Sequence, residues 1–262
     1  MTTRPITVLV VGATGSIGQL VVAGAIRQGY ATRALVRDPD TARQLAPEAH
    51  LAVGDITRPE TLSAAVDGVD AVVFTHGSRG AGKTGMENVD YGAVRNILTA
   101  LGSRPARIAL MTAIGVTNRT GSYNRSTEAH DWKRRSERLV RASGRRYTIV
   151  RPGWFDDNEP DEQRLVLLQG DRRQAGDASD GVVAPRQIAQ VLLGSLASQT
   201  ADHKTFELVA EHGPAPEDRD PLFAALDQDP PKALDGVHDT SNMPLDDEPQ
   251  RVRADLRVLA AS

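Results

Sequence analysis

The chain has 262 residues, 40% of them hydrophobic, enough for one large α/β domain or one domain with a small appendage. A net charge of -3 offers no basic footprint for nucleic acid, and the lack of cysteine excludes thiol catalysis, disulfides and cysteine-ligated metals. No apolar run approaches the ~20 residues of a membrane span, and the opening MTTRPIT lacks the apolar core of a signal peptide, so a soluble cytoplasmic protein is expected.

Residues 6–11, ITVLVV, form a nearly unbroken apolar run, as a strand buried on both faces of a parallel sheet does. Gly12, Gly15 and Gly18 follow at three-residue spacing, and Leu20, Val21, Val22, Ala25 and Ile26 then recur with helical period. Strand, glycine turn and helix stand in the order a dinucleotide site requires. Gly12 lets the chain leave the strand, Gly15 lets backbone N–H groups approach a pyrophosphate, and Gly18 lets the helix pack close to the sheet. The helix N-terminus offers unpaired N–H donors to the anion.

Residues 31–36 read as a second strand, ending in Arg37-Asp38-Pro39. An NAD-preferring site ends this strand in an acid that accepts from the ribose hydroxyls. Here Arg37 comes first, where a guanidinium can grip a 2′-phosphate, so NADP is favoured and NAD is the alternative. Arg33 is a candidate assistant, and Asp38 reads as the cap of a helix starting near Pro39. A short third strand at 50–53 leads to Gly54-Asp55-Ile56, where Asp55 either accepts from an adenine amino group or starts the turn into a helix over 59–66.

Residues 69–74 read as a fourth strand, followed by Thr75-His76-Gly77 and a formal P-loop pattern from Gly77 to Thr84. The apolar period resumes only at Val89, however, and neither later strand ends in an aspartate suited to Mg²⁺. A Gly-rich loop at the site edge is the simpler reading, with His76 and Arg79 facing cofactor or substrate. A fifth strand, 107–111, leads to Thr112 and to a polar loop over 117–127. A helix is expected from about 127 to 143, with Lys133 bordering its apolar face. Arg134, Arg135, Arg138 and Arg141 read as a solvated face of that helix. A sixth strand, 146–150, ends in Arg151-Pro152-Gly153-Trp154-Phe155, where the two aromatics form either a pocket wall or core packing.

Beyond residue 156 the pattern changes. Short strands are expected at 165–168 and 182–183, a helix at 188–196, a last strand at 204–210, and short helices at 222–226 and 250–259. Residues 1–155 thus form the core, and 156–262 complete the sheet and supply a small substrate lobe over its carboxyl edge.

The chain resembles the atypical short-chain dehydrogenases/reductases of the NmrA-like, NAD(P)-binding group, with biliverdin-IXβ/flavin reductases similar in layout. The matching segments are Gly12 to Gly18, Val36-Arg37-Asp38, Gly54-Asp55-Ile56, Asn88 to Gly92 and Trp132 to Gly153. The resemblance implies an α/β fold, a doubly wound parallel sheet with NADP across its carboxyl edge and a small-molecule substrate beside it. The cofactor contacts to check are Gly12, Thr14, Gly15, Ser16, Ile17, Gly18, Arg37, Asp55, Ile56, Thr75, His76, Gly77, Lys133 and Pro152. Short-chain enzymes carry a proton-transferring Tyr four residues before the helix lysine. Lys133 matches the lysine, but Ala129 stands at the tyrosine position, and Thr112 falls near the family's catalytic hydroxyl. Replacement acids are His130, Tyr123 and His76; alternatively the proton comes from solvent, or the protein is a redox sensor that binds NADP without catalysis.

Overall fold

The computed structural model describes residues 5–78, 80–155 and 158–261. Eight strands form one sheet: β1 Thr7–Val11, β2 Ala31–Val36, β3 His50–Val53, β4 Ala71–Phe74, β5 Arg107–Met111, β6 Tyr147–Pro152, β7 Arg164–Leu168 and β8 Lys204–Glu211. Their spatial order is β3-β2-β1-β4-β5-β6-β8-β7, parallel throughout except for the antiparallel β7–β8 pair at one edge. Strand order reverses between β1 and β4, which opens a crevice beyond their carboxyl ends.

The helices are α1 Ser16–Arg27, α2 Ser63–Val66, α3 Gly82–Gly85, α4 Gly92–Leu101, α5 Ser122–Thr127, α6 Ala129–Ala142, α7 Pro185–Ala197, α8 Asp220–Ala224 and α9 Gln250–Ala260. Alternate side chains of β1 feed two cores. Val8 and Val10 pack with α1, α7 and Phe223 of α8; Leu9 and Val11 pack with α2, α4, α6 and α9. No described helix is long and apolar enough to cross a membrane.

Several local expectations are corrected. The helix foreseen from residue 127 breaks at Glu128, whose φ of 57° separates α5 from α6, so half of the polar loop is helical. The helix foreseen over 59–66 is a 3₁₀ turn, Pro59–Thr61, followed by α2. Residues 182–183 are no strand: Val182 makes isolated bridges to Trp154 and Ala210. The helix after the Gly-rich loop begins at Gly82, well before Val89, and runs through a π-helical turn, Met86–Tyr91, into α4.

The largest correction concerns α6. Its arginines are buried rather than solvated. A C-terminal strap, residues 227–249, carries the matching acids. Asp235 accepts from Arg134 Nε at 2.9 Å and from Arg138 Nε and a terminal nitrogen at 2.9 and 2.7 Å. Glu248 accepts from Arg135 Nε at 2.7 Å, and Asp229 accepts from Arg141 Nε at 3.1 Å. Desolvating so many guanidinium groups is tolerable only because each finds a carboxylate. The strap and α9 therefore brace α6 on the side away from the crevice.

Candidate functional site

One cavity of about 1570 Å³ follows the carboxyl edge of the sheet. Its floor begins at the glycine turn. Gly12 has φ +86°, and a Cβ there would stand 2.7 Å from His76 N, so only glycine fits. Gly18 does not line the cavity; a Cβ on it would lie 2.0 Å from Gly12 O, which is the close helix–strand approach its position suggested. Gly15 stands at the N-cap of α1 without a side-chain acceptor, and the first turn of α1 holds no acid. The free N–H groups of that turn accordingly face a cavity bordered by Thr14, Gly15, Ser16 and Ile17. An external anion such as a pyrophosphate fits this uncapped terminus.

At one end the cavity is lined by Arg37, Asp38, Asp55 and Ile56. Asp38 Oδ1 accepts from Asp40 N at 2.9 Å, so Asp38 does cap the 3₁₀ turn Pro39–Ala42. Arg37 is exposed and, among the described residues, has no ion-pair partner. Arg33 does not assist it; its guanidinium donates to the carbonyls of Ala65 and Asp67, both at 2.8 Å, at the end of α2. Asp55 both borders the cavity and starts a turn, its Oδ1 accepting from Thr57 N at 2.9 Å. Burial pushes the Asp55 carboxyl up, but the Thr57 hydrogen bonds and the Arg37 charge hold it below the ordinary range.

Thr75, His76 and Gly77 continue the wall. The Thr75 hydroxyl donates back to Val11 O at 3.1 Å, and His76 Nε2 lies 3.2 Å from the Asp90 carbonyl. A carbonyl only accepts, so the His76 proton sits on Nε2. Burial pushes its pKa down and keeps the ring neutral near pH 7. The carbonyl it meets belongs to the π-helical turn, which also presents the Asp90 carboxylate to the Lys133 ammonium. Asp90 Oδ2 accepts from Ser78 N at 3.2 Å, and its carbonyl accepts from Ser136 Oγ at 2.9 Å. Burial raises the Asp90 pKa, but the charges and hydrogen bonds around it, Lys133 first among them, together bring it below the ordinary range. Asp90 is the partner that fixes Lys133; it lies within the matching segment Asn88 to Gly92, but the sequence assigned it no role.

The other end is lined by Thr112, Ile114, Asn118, Tyr123, His130, Lys133, Pro152, Trp154, Phe155 and Gln174, among others. Thr112 Oγ1 donates to the buried Glu137 at 2.8 Å, so its proton is already committed. Ala129 is fully buried and does not reach the cavity. One residue on, His130 does. Its Nδ1 lies 3.5 Å from Asn118 O, its ring packs edge-on against Tyr123 at 5.3 Å, and burial pushes its pKa down. Trp154 and Phe155 are pocket wall, not core. Asp171 holds this wall in place: its two oxygens accept from Gly115 N and Thr117 N, each at 2.6 Å.

Lys83 and Thr84 of the P-loop pattern do not line the cavity. Lys83 ion-pairs with Glu128 at 2.8 Å, and β5 and β6 end in Met111 and Pro152. Arg79, within that loop, lies outside the described residues. No described residue beyond Asp180 lines the cavity, so Gln174, Ala175, Gly176 and Asp180 close its edge while the strap and α9 do not. Among the described residues, no group of acids and histidines is placed to hold a metal.

The chain is 29% identical over 216 residues to an uncharacterized sugar epimerase, YhfK, of Bacillus subtilis, covering 80% of this chain and 97% of that one. A putative NAD-dependent epimerase/dehydratase from Bacillus halodurans superposes with a TM-score of 0.68 at 22% identity, over 84% of this chain and all of the other. A short-chain dehydrogenase/reductase from Veillonella parvula, solved in complex with NADP, superposes with a TM-score of 0.60 at 16% identity, over 82% of this chain and all of that one. At these identities both structures show the shared fold alone. Residues 12–199 match the NAD(P)H-binding family model, and the chain belongs to that family.

Proposed function

We propose that the protein is an NADPH-dependent reductase of the atypical short-chain, NmrA-like type, acting on a small electrophilic or conjugated acceptor. The observation that carries this reading is the single cavity that runs from the uncapped N-terminus of α1, past Lys133, to Trp154 and Phe155. It is long enough in residues to take an extended dinucleotide and a second ligand side by side. When bound, the nicotinamide supplies the hydride.

The chain's own groups bind and orient. The first turn of α1 takes the pyrophosphate and Arg37 takes the 2′-phosphate. Lys133, one donor spent on Asp90, keeps others for the nicotinamide ribose. Pro152 and Gly153 turn β6 away and leave room for the ring. Ala129 leaves no tyrosine at the position from which short-chain enzymes move a proton. A neutral His130 keeps Nε2 free of its neighbours, and for a conjugated acceptor the proton comes from solvent. Catalysis is then chiefly positioning.

Calorimetry with NADPH, followed by a spectrophotometric screen of quinone, flavin and enone acceptors, tests this reading. Gly15→Asp puts bulk and negative charge at the α1 N-terminus and should abolish NADPH binding. Undiminished binding in that variant would sink the site assignment. A second reading, an NADP-binding sensor without catalysis, is favoured by Ala129 and by the committed Thr112 proton. Tight NADP binding with no NADPH oxidation by any acceptor would select it.

A further inference from the structure

The chain contains two Trp, four Tyr and four Phe. Most are buried: Phe74, Tyr91, Trp132, Tyr147, Phe206 and Phe223 all lie in the cores, and Tyr30 is half-buried. The exposed aromatics among the described residues are Tyr123, Trp154 and Phe155, at 54, 43 and 42%. All three line the same end of the same cavity. Scattered exposed apolar side chains need no explanation, but a cluster confined to one cavity mouth marks a binding surface.

Two of the three aromatics, Trp154 and Tyr123, are anchored to their neighbours. Trp154 N donates to Gly181 O at 2.9 Å, and Val183 N donates to Trp154 O at 2.8 Å. Tyr123 belongs to α5, where its carbonyl accepts from the hydroxyls of Ser126 and Thr127 at 2.9 and 2.8 Å. Its ring rests on His130. Rigid rings lose little entropy when a ligand stacks on them.

Charge narrows the ligand further. Among the described residues at this end, the cations are few, and Arg173, which borders the wall at Asp180, is drawn to Glu211 at 3.9 Å. Lys133 is paired with Asp90, and His130 is pushed toward its neutral form by burial. Arg119, nearby, is paired with Asp131 at 3.1 Å. The remaining charged lining group is the Asp180 carboxylate, which accepts from Ala175 N and Gly176 N, each at 2.7 Å. An anionic group brought here would shed water without meeting an unpaired cation among the lining residues of this end. A cation would meet ring faces and a carboxylate.

We propose that this end of the cavity is a stacking site for flat, conjugated ring systems that carry no anionic group, held by Tyr123, Trp154 and Phe155. The assignment rests on reading the cavity as the site of an NADP-dependent reductase, and it sets sugar phosphates and nucleotide sugars aside as acceptors.

Trp154 can report on its own site. Trp132 Nε1 has no hydrogen-bond partner, so Trp132→Phe forfeits no hydrogen bond and leaves Trp154 as the one tryptophan. With NADP⁺ present, lumiflavin (uncharged) and proflavine (cationic) should quench Trp154 emission saturably. Anthraquinone-2,6-disulfonate and UDP-glucose should bind at least about tenfold more weakly, each lacking a cation to receive its anionic groups. In equilibrium dialysis, Trp154→Leu and Phe155→Leu should each weaken lumiflavin about three- to tenfold, the usual worth of one stacked pair. Equal affinity for the disulfonate, no quenching by lumiflavin or proflavine, or unchanged dialysis in both Leu variants would overturn the proposal. Calorimetry with NADP⁺ on the same protein separates the two ideas: absent NADP⁺ binding overturns the reductase reading, and the probe series on the free protein still decides the stacking site.

Discussion

Arg37→Ala is the perturbation that bears most directly on which dinucleotide the cavity takes. Arg37 follows β2 directly, is exposed, lines the cavity, and has no ion-pair partner among the described residues. The one acid beside it in sequence, Asp38, is engaged at Asp40 N and is a poor acceptor for ribose hydroxyls. A hydrogen bond to a charged group is worth about 1.5–3 kcal/mol, and exposure brings this toward the lower end. Arg37→Ala should therefore weaken NADPH by about 1.5–2 kcal/mol, or roughly 10- to 30-fold, and leave NADH within about twofold. Arg37→Lys should fall between, since an ammonium keeps the charge but not the fork. Isothermal titration at about 0.1 M and about 1 M salt adds a check, because screening should narrow the gap between NADPH and NADH. Equal losses for both cofactors, or a wild-type preference for NADH, would refute the reasoning.

Gly18→Ala, with its Cβ 2.0 Å from Gly12 O, should cost about 3 kcal/mol or more in urea denaturation, whereas Gly15→Ala, at 3.3 Å, should cost under about 1; equal costs would deny the close approach. Asp235→Ala strands Arg134 and Arg138 and should cost about 3–5 kcal/mol, with faster amide exchange across residues 227–249. Burial raises the Asp235 pKa, but the two arginines pull it below its ordinary value, so its contribution is complete above about pH 4 and lost as the pH falls further. The gap between Asp235→Ala and wild type should close in that acid range, and a gap that persists there would deny the ion pairs. Burial pushes Glu207 up to about 7, because Arg151 spends its shortest bonds on Glu137 and Asp239. For this raised acid, stability is full below about pH 4.5 and is lost as the pH rises through about 7. Glu207→Gln should remove that loss, worth on the order of 3 kcal/mol, and denaturation series at pH 5 and 8 with the same slope in both proteins would exclude it.

The end of the cavity at the glycine turn was legible because it is local. Gly12, Arg37, Gly54 and Thr75 each directly follow a strand, and strand period, glycine spacing and Pro39 mark those ends within a few positions. The far end was legible only in part. Trp154 and Phe155 could be placed after β6, but whether they face solvent depends on the bridge between Trp154 and Val182. The arginines of α6 were misread because their partners stand about a hundred residues away; Arg134 and Asp235 are 101 positions apart. A helix read alone gives a charged stripe no reason to be buried. Asp90 escaped for a subtler reason: the π-helical turn rotates it onto Lys133, and no spacing rule anticipates that turn.

The strap that hid the arginines also reaches the chemistry. Asp239 accepts from Arg151 at 2.7 Å, Arg151 donates to Glu137 at 2.7 Å, and Glu137 accepts from Thr112 at 2.8 Å on the cavity wall. A buried chain of charge-assisted hydrogen bonds thus runs from the C-terminal strap to the position where short-chain enzymes keep a catalytic hydroxyl. It fixes Thr112 and α6 together, and Lys133 with them, while taking up the proton Thr112 would otherwise offer. With alanine at the tyrosine position as well, the proposed reductase would act by holding ligands in register rather than by relaying a proton through Thr112. On that reading, an acceptor able to take its proton from water, presented flat against Tyr123, Trp154 and Phe155, fits the proposed reaction better than an alcohol or a sugar.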